Sequence, residues 1–481
     1  MIFRGLAVRL RAPGAFELTE ALFLRLLGLI YLSAFASFWP QIVGLSGSHG
    51  VAPAGRLLEA MHSALGVRAF FYVPSLFWFG KSDDTLLAIC AGGCIASLLL
   101  VLRIFSRAGA IVCFALYLSL SSIGQPFTSF QWDALLLEAG FLAIFAGAPW
   151  LFWAYRLLLF RLMFESGWVK LASHDLNWRN LHALRFHFMT QPLPNPVAYY
   201  AYHSPTKLLD VLTAVTLAIE LGAPVLLFCP RIFRYAGVAL LMLLQCAILL
   251  TGNYAFFNLL SLALCLWGLD DRFFLPIARF LRWRARLPWR LADGPAFRAA
   301  GNIAVGILIV LGVLQLCDSL APRSAYVISR PLALLQPLEI VNGYGLFAVM
   351  TTTRNEIVIE GSDDQVNWRE YEFPYKPGNT HRGLPWVAPY QPRLDWQMWF
   401  AALGDYQNNT WVGGLMYRLM TGEPSVYRLL NAPPFGHPPH YMRALLYEYD
   451  FTTAAERART GGVWRRQLRA TWFGPVSLSG L

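Results

Sequence analysis

The chain has 481 residues, 56% of them hydrophobic and only 14% charged. Soluble domains carry roughly 25% charged residues, so this balance argues against an ordinary soluble enzyme and points to a surface that largely faces lipid, where charge is costly. The net charge of +11 is carried mostly by arginines beside apolar runs, as in the cytoplasmic flanks of membrane helices, so no nucleic-acid partner is expected.

The chain opens on a basic segment with Arg4, Arg9 and Arg11, followed by an apolar run without a small-residue cleavage site. It reads as a retained first span, not a removed signal peptide. Nine segments are apolar enough to cross a bilayer: 21–42, 84–102, 108–124, 133–150, 156–171, 208–228, 235–251, 253–269 and 301–320. Arginine placement orients them. With the N-terminus in the cytoplasm, the cytoplasmic loops hold Arg103 and Arg107, then Arg156, then Arg231 and Arg234, then the long basic loop 270–300. The short loops on the other side, near 125–132 and 252, hold no Lys or Arg. This predicts a transmembrane helical domain over 1–320, with exoplasmic loops 43–83 and 172–207, and an exoplasmic domain over 321–481. All nine histidines fall on the exoplasmic side: His49, His62, His174, His182, His187, His203, His381, His437 and His440.

The seven cysteines lie in or beside apolar segments and none falls in the large polar regions. Such residues behave as small hydrophobes; neither a disulfide scaffold nor a thiol redox catalyst is expected, since the latter needs an accessible, low-pKa thiol.

Residues 156–207 are the densest region. The fifth apolar segment contains Arg161, Glu165 and Lys170. Arg161 and Glu165 share a helix face at i, i+4. An ionisable group within a span is a functional hypothesis by default, but Arg161 reads more simply as a side chain snorkelling to the interface. Lys170, near the exoplasmic end, has a catalytic or binding role as an equal alternative. Trp178, Arg179, His182, Arg185 and His187 follow on a polar, aromatic stretch resembling an interfacial helix. His182 and His187 are five apart, a poor spacing for shared metal ligation, and no metal or cofactor is expected. In Gln191-Pro192-Leu193-Pro194-Asn195-Pro196, three prolines fix φ and favour an extended segment. Tyr199, Tyr200 and Tyr202 then read as an interfacial belt.

After residue 320 the pattern changes. Ile357 and Ile359, then Tyr371, Phe373 and Tyr375, alternate with polar neighbours around a Gly-Ser-Asp-Asp turn. This is strand–turn–strand periodicity, and a β-sandwich is the expected setting. Segments 392–403 and 411–420 read as short helices and 440–451 as another strand. Trp396 and Trp399 read as domain core, the other reading being a sticky client-binding surface. Arg393 and Asp395 are expected to form a cap and a local ion pair. The fold class is thus a polytopic α-helical membrane protein of about nine spans with a C-terminal exoplasmic β-rich domain containing short helices.

The run from Arg161 to Pro205 resembles the lipase maturation factor family. So do EIVIEGSDDQVNWREYEFPYKPG (356–378), QPRLDWQMWFAAL (Gln391 to Leu403), Pro438–Pro439 and the Tyr441–Tyr447 strand. The resemblance covers most of the chain from about residue 100, and its 391–403 motif is long and specific. It implies a membrane-embedded folding or maturation factor whose conserved domain faces the lumen, and exported client proteins, lipases among them, as partners besides membrane lipids. The candidate binding residues are Arg161, Glu165, Lys170, Trp178, Arg179, Gln191, Pro192, Asn195, Pro196, Arg393, Asp395, Trp396 and Trp399. Only four lysines accompany the many arginines, the bias of a GC-rich bacterial genome. That implies an inner-membrane location with the C-terminal domain in the periplasm; in a eukaryote the site would be the endoplasmic reticulum membrane. A five-residue string, Gly167 to Leu171, is also similar to membrane helices of the vitamin K-dependent γ-carboxylase group. That similarity implies an alternative: an intramembrane enzyme acting on a lipid or quinone-like substrate, with Lys170 as base and His182 and His187 as helpers. No G-x-S-x-G, P-loop, G-x-G-x-x-G or H-E-x-x-H motif is present, and a non-enzymatic role is favoured.

Overall fold

The computed structural model describes residues 16–280, 295–321 and 326–478. Arg4, Arg9 and Arg11, and residues 281–294 of the basic 270–300 loop, lie outside them.

The helices used below are α1 (Glu17–Phe38), α2 (Asp83–Leu102), α3 (Ser106–Ile123), α4 (Gln131–Ala143), α5 (Leu151–Ala172), α6 (Leu184–Thr190), α7 (Pro196–Tyr202), α8 (Thr206–Leu226), α9 (Arg231–Thr251), α10 (Phe257–Cys265), α11 (Pro295–Leu320), α12 (Arg393–Ala401) and α13 (Trp411–Met420). The strands are β1 (Arg354–Ser362), β2 (Arg369–Tyr371), β3 (Tyr441–Phe451) and β4 (Trp464–Val476).

Local chemistry sets several boundaries. Ser82 caps α2 by accepting from Thr85 N, with Asp83 and Asp84 in the first turn, where carboxylates complement the helix dipole. Asn195 caps α7 by accepting from Ala198 N at 3.0 Å, and Pro196 occupies the first helical turn, where its missing N–H costs nothing. α1 and α2 approach through small residues. A Cβ on Gly28 would lie 2.9 Å from Val101 N, and one on Gly93 would lie 2.4 Å from the Phe35 ring. Small residues at such crossings let helix backbones pack closely without a water-driven hydrophobic force.

Six helices among the described residues are long and apolar enough to cross a membrane: α1, α2, α3, α8, α9 and the 299–320 part of α11. The protein is an integral membrane protein on this ground. Of the nine apolar segments, three differ from the expectation. Segment 133–150 contains a 13-residue helix that ends in turns, and 253–269 contains the nine-residue α10. The third forms the 22-residue α5, which carries Arg156, Arg161, Glu165 and Lys170. An apolar window counts turn residues as readily as helical ones, so it overstates helix length.

The C-terminal region packs on one end of the helical bundle. Gln41 Nε2 donates to Gln391 O at 2.9 Å, Arg418 Nε to Gly50 O at 3.1 Å, and Ser173 Oγ to Ala348 O at 2.6 Å. Asn253 accepts from Val387 N at 2.8 Å and donates to Pro385 O at 3.0 Å. The loops after α1, α5 and α9 therefore share this side.

The expected β-sandwich is replaced by one antiparallel sheet of four strands, ordered β2-β1-β3-β4. Ile357 pairs with Leu446, and Ile359 with Ala444 and Tyr371. Ile357 and Ile359 are fully buried, and α12 packs on β1. Helix and loop cover the apolar side that a second sheet would otherwise bury, an alternative that strand periodicity alone does not distinguish.

Candidate functional site

The seam between the helical bundle and the C-terminal region is lined with buried charge. α4 supplies Asp133 and Glu138, α5 supplies Arg161, Glu165 and Lys170, and α8 supplies Glu220; each is buried. The C-terminal region supplies Asn342, Tyr344, Arg354, Glu356, Lys376 and Arg393. Buried charges persist only where they are paired and hydrogen-bonded; here the Arg393–Asp133 ion pair crosses the seam, and hydrogen bonds from Asn342, Tyr344 and Arg354 cross it beside pairs made within each part.

The first cluster is built on Arg161. Its Nη1 donates to Glu138 Oε1 at 2.7 Å, its Nη2 donates to Asn342 O, and Glu165 stands 3.8 Å away. Tyr344 N donates to Glu165 at 2.7 Å and Tyr344 Oη to Glu138 at 2.9 Å. The i, i+4 pair is thus present but secondary to Glu138. Arg161 is 1% exposed, so it does not snorkel: Glu138 and the Asn342 carbonyl pair its two terminal nitrogens inside the protein.

The second cluster joins α12 to α3 and α4. Arg393 donates to both Asp133 oxygens, at 3.0 and 2.9 Å, to Tyr117 Oη at 3.1 Å and to Phe127 O at 2.7 Å. Tyr117 Oη donates to Asp133 as well. The guanidinium also lies 4.1 Å from the Phe38 ring centroid. The expected local Arg393–Asp395 pair is therefore corrected. Successive helical positions point apart, and Arg393 reaches a carboxylate 260 residues away. Nor does Asp395 cap α12; it accepts from Tyr375 N and Lys376 N, both at 2.8 Å. Burial raises its carboxyl from the ordinary 3.8 to about 6, against the lowering pull of those two backbone donors and the Lys376 charge.

That shift has a pH consequence. The folded protein holds the Asp395 proton more tightly than the unfolded chain, so this contribution to stability is complete below pH 3.8 and is lost as pH rises through about 6. Asp395→Asn keeps the acceptor and removes the titration. The melting temperature of the detergent-solubilised variant is expected to lack the corresponding loss, about 3 kcal/mol across that window. An unchanged wild-type slope in Asp395→Asn would show that Asp395 is not its source.

The third cluster holds Lys170, whose Nζ donates to both Glu220 oxygens at 2.6 Å and stands 5.1 Å from the Trp178 ring centroid. Trp178 Nε1 donates to Phe347 O at 2.9 Å. His187 and His182 do not converge. Tyr254 Oη donates to Gln191 Oε1 at 2.9 Å and lies 3.1 Å from His187 Nε2, which therefore supplies the proton of that contact. Burial, with the Lys170 charge behind it, lowers the His187 imidazole to about 4. His182 is half-buried near the start of α6. Among the described residues no group of three or more His, Cys, Asp or Glu could hold a metal ion.

The fourth cluster fastens the proline-rich turn. Arg354 of β1 donates to Met189 O and Pro192 O, both at 2.8 Å, to Gln191 O, and to Glu356 at 2.7 Å. Lys376 stands 2.9 Å from the other Glu356 oxygen. Pro194 forms a bridge with Gly252, and Gln191 and Asn195 donate to Thr251 O at 2.8 Å and Leu250 O at 3.0 Å. A Cβ on Gly252 would lie 2.3 Å from Gln191 Oε1. A side chain there would displace the Gln191 amide and the Tyr254 ring. Trp399 Nε1 donates to Thr190 O at 2.9 Å.

Most sequence-singled residues therefore come together, but inside the seam. Arg161, Glu165, Lys170, Trp178, Gln191, Pro192, Asn195, Arg393, Asp395, Trp396 and Trp399 are all buried. Trp396 and Trp399, at 4% and 7% exposure, match the core reading. Arg179 is exposed and Pro196 half-buried. Tyr199 departs from the interfacial belt: it is buried against Phe451 and donates to Thr452 O at 2.9 Å, while Tyr200 stays exposed. Asp133, Glu138, Glu220, Arg354 and Glu356 were missed. The first three carried a readable signal, an acidic residue inside an apolar run. Arg354 and Glu356 alternate on an ordinary-looking strand and carried none.

The chain is similar to known proteins over most of its length. The family described as Lipase maturation factor transmembrane domain matches residues 18–276, and that described as Lipase maturation factor C-terminal domain matches 340–474. Lipase maturation factor 2 of Mus musculus is 33% identical over 95% of this chain and 83% of its own length. Lipase maturation factor 2 of Gallus gallus is 33% identical over 95% and 81%. Lipase maturation factor 1 of Bos taurus is 32% identical over 98% and 91%. No solved structure matches the chain. With both parts matched and the alignments running nearly end to end, the chain belongs to the lipase maturation factor family.

Proposed function

We propose that this protein is a membrane-embedded maturation factor for exported lipases and that the C-terminal region presents the client-binding surface on the exoplasmic side. The observation that carries the reading is the alignment with lipase maturation factors 1 and 2 across both parts of the chain. The charged seam supports it mechanically: the clusters hold the C-terminal region against the bundle as one rigid unit, so client contacts belong to exposed residues such as Arg179 and the outer sheet strand, and the buried site residues act as positioning groups. Arg103, Arg107, Arg231 and Arg234, at the bundle end away from the C-terminal region, support an exoplasmic assignment for that region. Nine passes fit the alternation if α4, α5 and α10 cross within the protein interior, where buried pairs satisfy the charges of α5. In a bacterium the exoplasmic side is the periplasm, and in a eukaryote the lumen of the endoplasmic reticulum.

The γ-carboxylase-like alternative gains no support. Both Glu220 oxygens are committed to Lys170, which makes the lysine an ion-pair partner, not an open base. The discriminating experiment is co-expression with a secreted lipase in cells lacking a maturation factor, reading active lipase per secreted antigen. Lys170→Met alone strands a buried carboxylate and is expected to cost about 3–5 kcal/mol. The Lys170→Met/Glu220→Met pair removes both charges at similar volume, and is expected to fold and to restore lipase activation to within about twofold of wild type. A folded double variant that activates no lipase would overturn the maturation-factor reading of this site in favour of chemistry at Lys170.

A further inference from the structure

The loop between α1 and α2 does not connect by the shortest path. Residues 54–65 form a helix, 66–72 two short helical turns, and 76–79 a further turn before Ser82 caps α2. This hairpin is pinned to the end of α3. Ser75 Oγ donates to Ser119 O at 2.9 Å, and Leu76 N donates to Ser119 Oγ at 3.1 Å. Val73 and Phe77 are buried beneath it, at 5% and 3% exposure. Internally, Phe70 packs on Trp78 at 4.6 Å between ring centroids, His62 packs on both, and Trp78 Nε1 donates to Val73 O at 2.8 Å.

With its inner face so fixed, the hairpin turns large apolar side chains outward, among them Val67, Phe70, Phe71, Tyr72, Leu76 and Phe79. Val67 and Phe79 are 81% and 84% exposed. An outward apolar cluster of this density on an ordered element marks an interaction surface. Its position says which one. The hairpin sits level with the start of α2 and the last turn of α3, at the end of two candidate spans. The chain runs from it directly into α2, where Ala88, Ile95, Leu98 and Leu102 recur at helical spacing and are all exposed. Its aromatic rings, with Arg56, Arg68 and Lys81 exposed around them, have the composition of a membrane–water interface. The C-terminal region, by contrast, docks on the preceding segment, through Arg418 to Gly50 O, and leaves these side chains uncovered.

We propose that residues 54–80 are an interfacial hairpin whose Val67, Phe70, Phe71, Tyr72, Leu76 and Phe79 are immersed in the headgroup–acyl boundary of the bilayer, on the side where the C-terminal region stands. Embedding it there fixes the height of the C-terminal region above the lipid, because the adjoining segment 44–51 carries that contact.

The test uses the full-length protein in nanodiscs containing phosphatidylcholine with a diazirine on its acyl chain, with lipid adducts mapped by mass spectrometry after illumination. Peptides covering 66–80 are expected to carry adducts alongside the outer-face peptide of α2, the internal control. Phe71→Ser/Phe79→Ser is expected to lower adducts on 66–80 about tenfold while α2 adducts stay unchanged, since two large apolar groups lose their reason to insert. Adducts on α2 with none on 66–80, or adducts on 66–80 that persist undiminished in the double variant, would overturn the proposal. So would cross-links from this hairpin to a co-expressed lipase in place of lipid, which would make it a client-docking surface.

Discussion

Arg393→Ala is expected to cost about 3–5 kcal/mol and to loosen the C-terminal region from the helical bundle. The magnitude follows from what is stranded. Arg393 is fully buried, and its guanidinium meets Asp133 in a two-pronged pair while also serving Tyr117 and Phe127 O. Truncation leaves the Asp133 carboxylate in an apolar interior with Tyr117 as its remaining side-chain donor. Lysine does not substitute, because one ammonium cannot reproduce the planar fork. Limited proteolysis of the detergent-solubilised protein should release a fragment from about residue 340 onward, and the melting temperature should fall. The Arg393→Met/Asp133→Leu pair is expected to recover most of the loss, because removing both charges also removes their desolvation cost. A double variant no better than Arg393→Ala would mean that the arginine acts through packing against Phe38, not through the charge pair.

A second loss, on the order of 5 kcal/mol, is expected from Arg354→Met. This residue ties three carbonyls of the 189–192 turn and the Glu356 carboxylate to one guanidinium. Removing it unpairs several buried acceptors at once, although Lys376 remains beside Glu356. The effect should be local before it is global. Hydrogen exchange at 188–195 should rise sharply, while the β1–β3 pairing is released only with the domain. Protection at 188–195 equal to wild type would show that the bridge of Pro194 to Gly252 and the Gln191 and Asn195 contacts suffice to hold the turn. The two predictions share a functional corollary: both variants should lose lipase activation although neither substitution changes an exposed residue.

Sequence and tertiary structure divide the account along a physical line. Local patterning determined the elements. Runs of apolar residues marked the six long apolar helices, and alternation at Ile357 and Ile359 marked β1. The 391–403 motif alone pointed to the family. Charge within an apolar run singled out Arg161, Glu165 and Lys170, and the same rule applied to Asp133, Glu138 and Glu220 would have found the remaining buried acids of the bundle. What the sequence could not determine was which charges meet. Arg393 pairs with Asp133 across 260 positions and Arg354 reaches back more than 160 to the 189–192 turn, while the near neighbours Arg393 and Asp395 turn to different partners. Nor could it determine that one sheet suffices where a sandwich was expected, or that residues suited to client binding are sealed inside a joint. Propensity and hydrophobic period act over a few residues and leave their trace in the local string. Pairing of buried charges is decided by desolvation, which depends on which surfaces the whole chain brings together, so only the assembled structure could specify it.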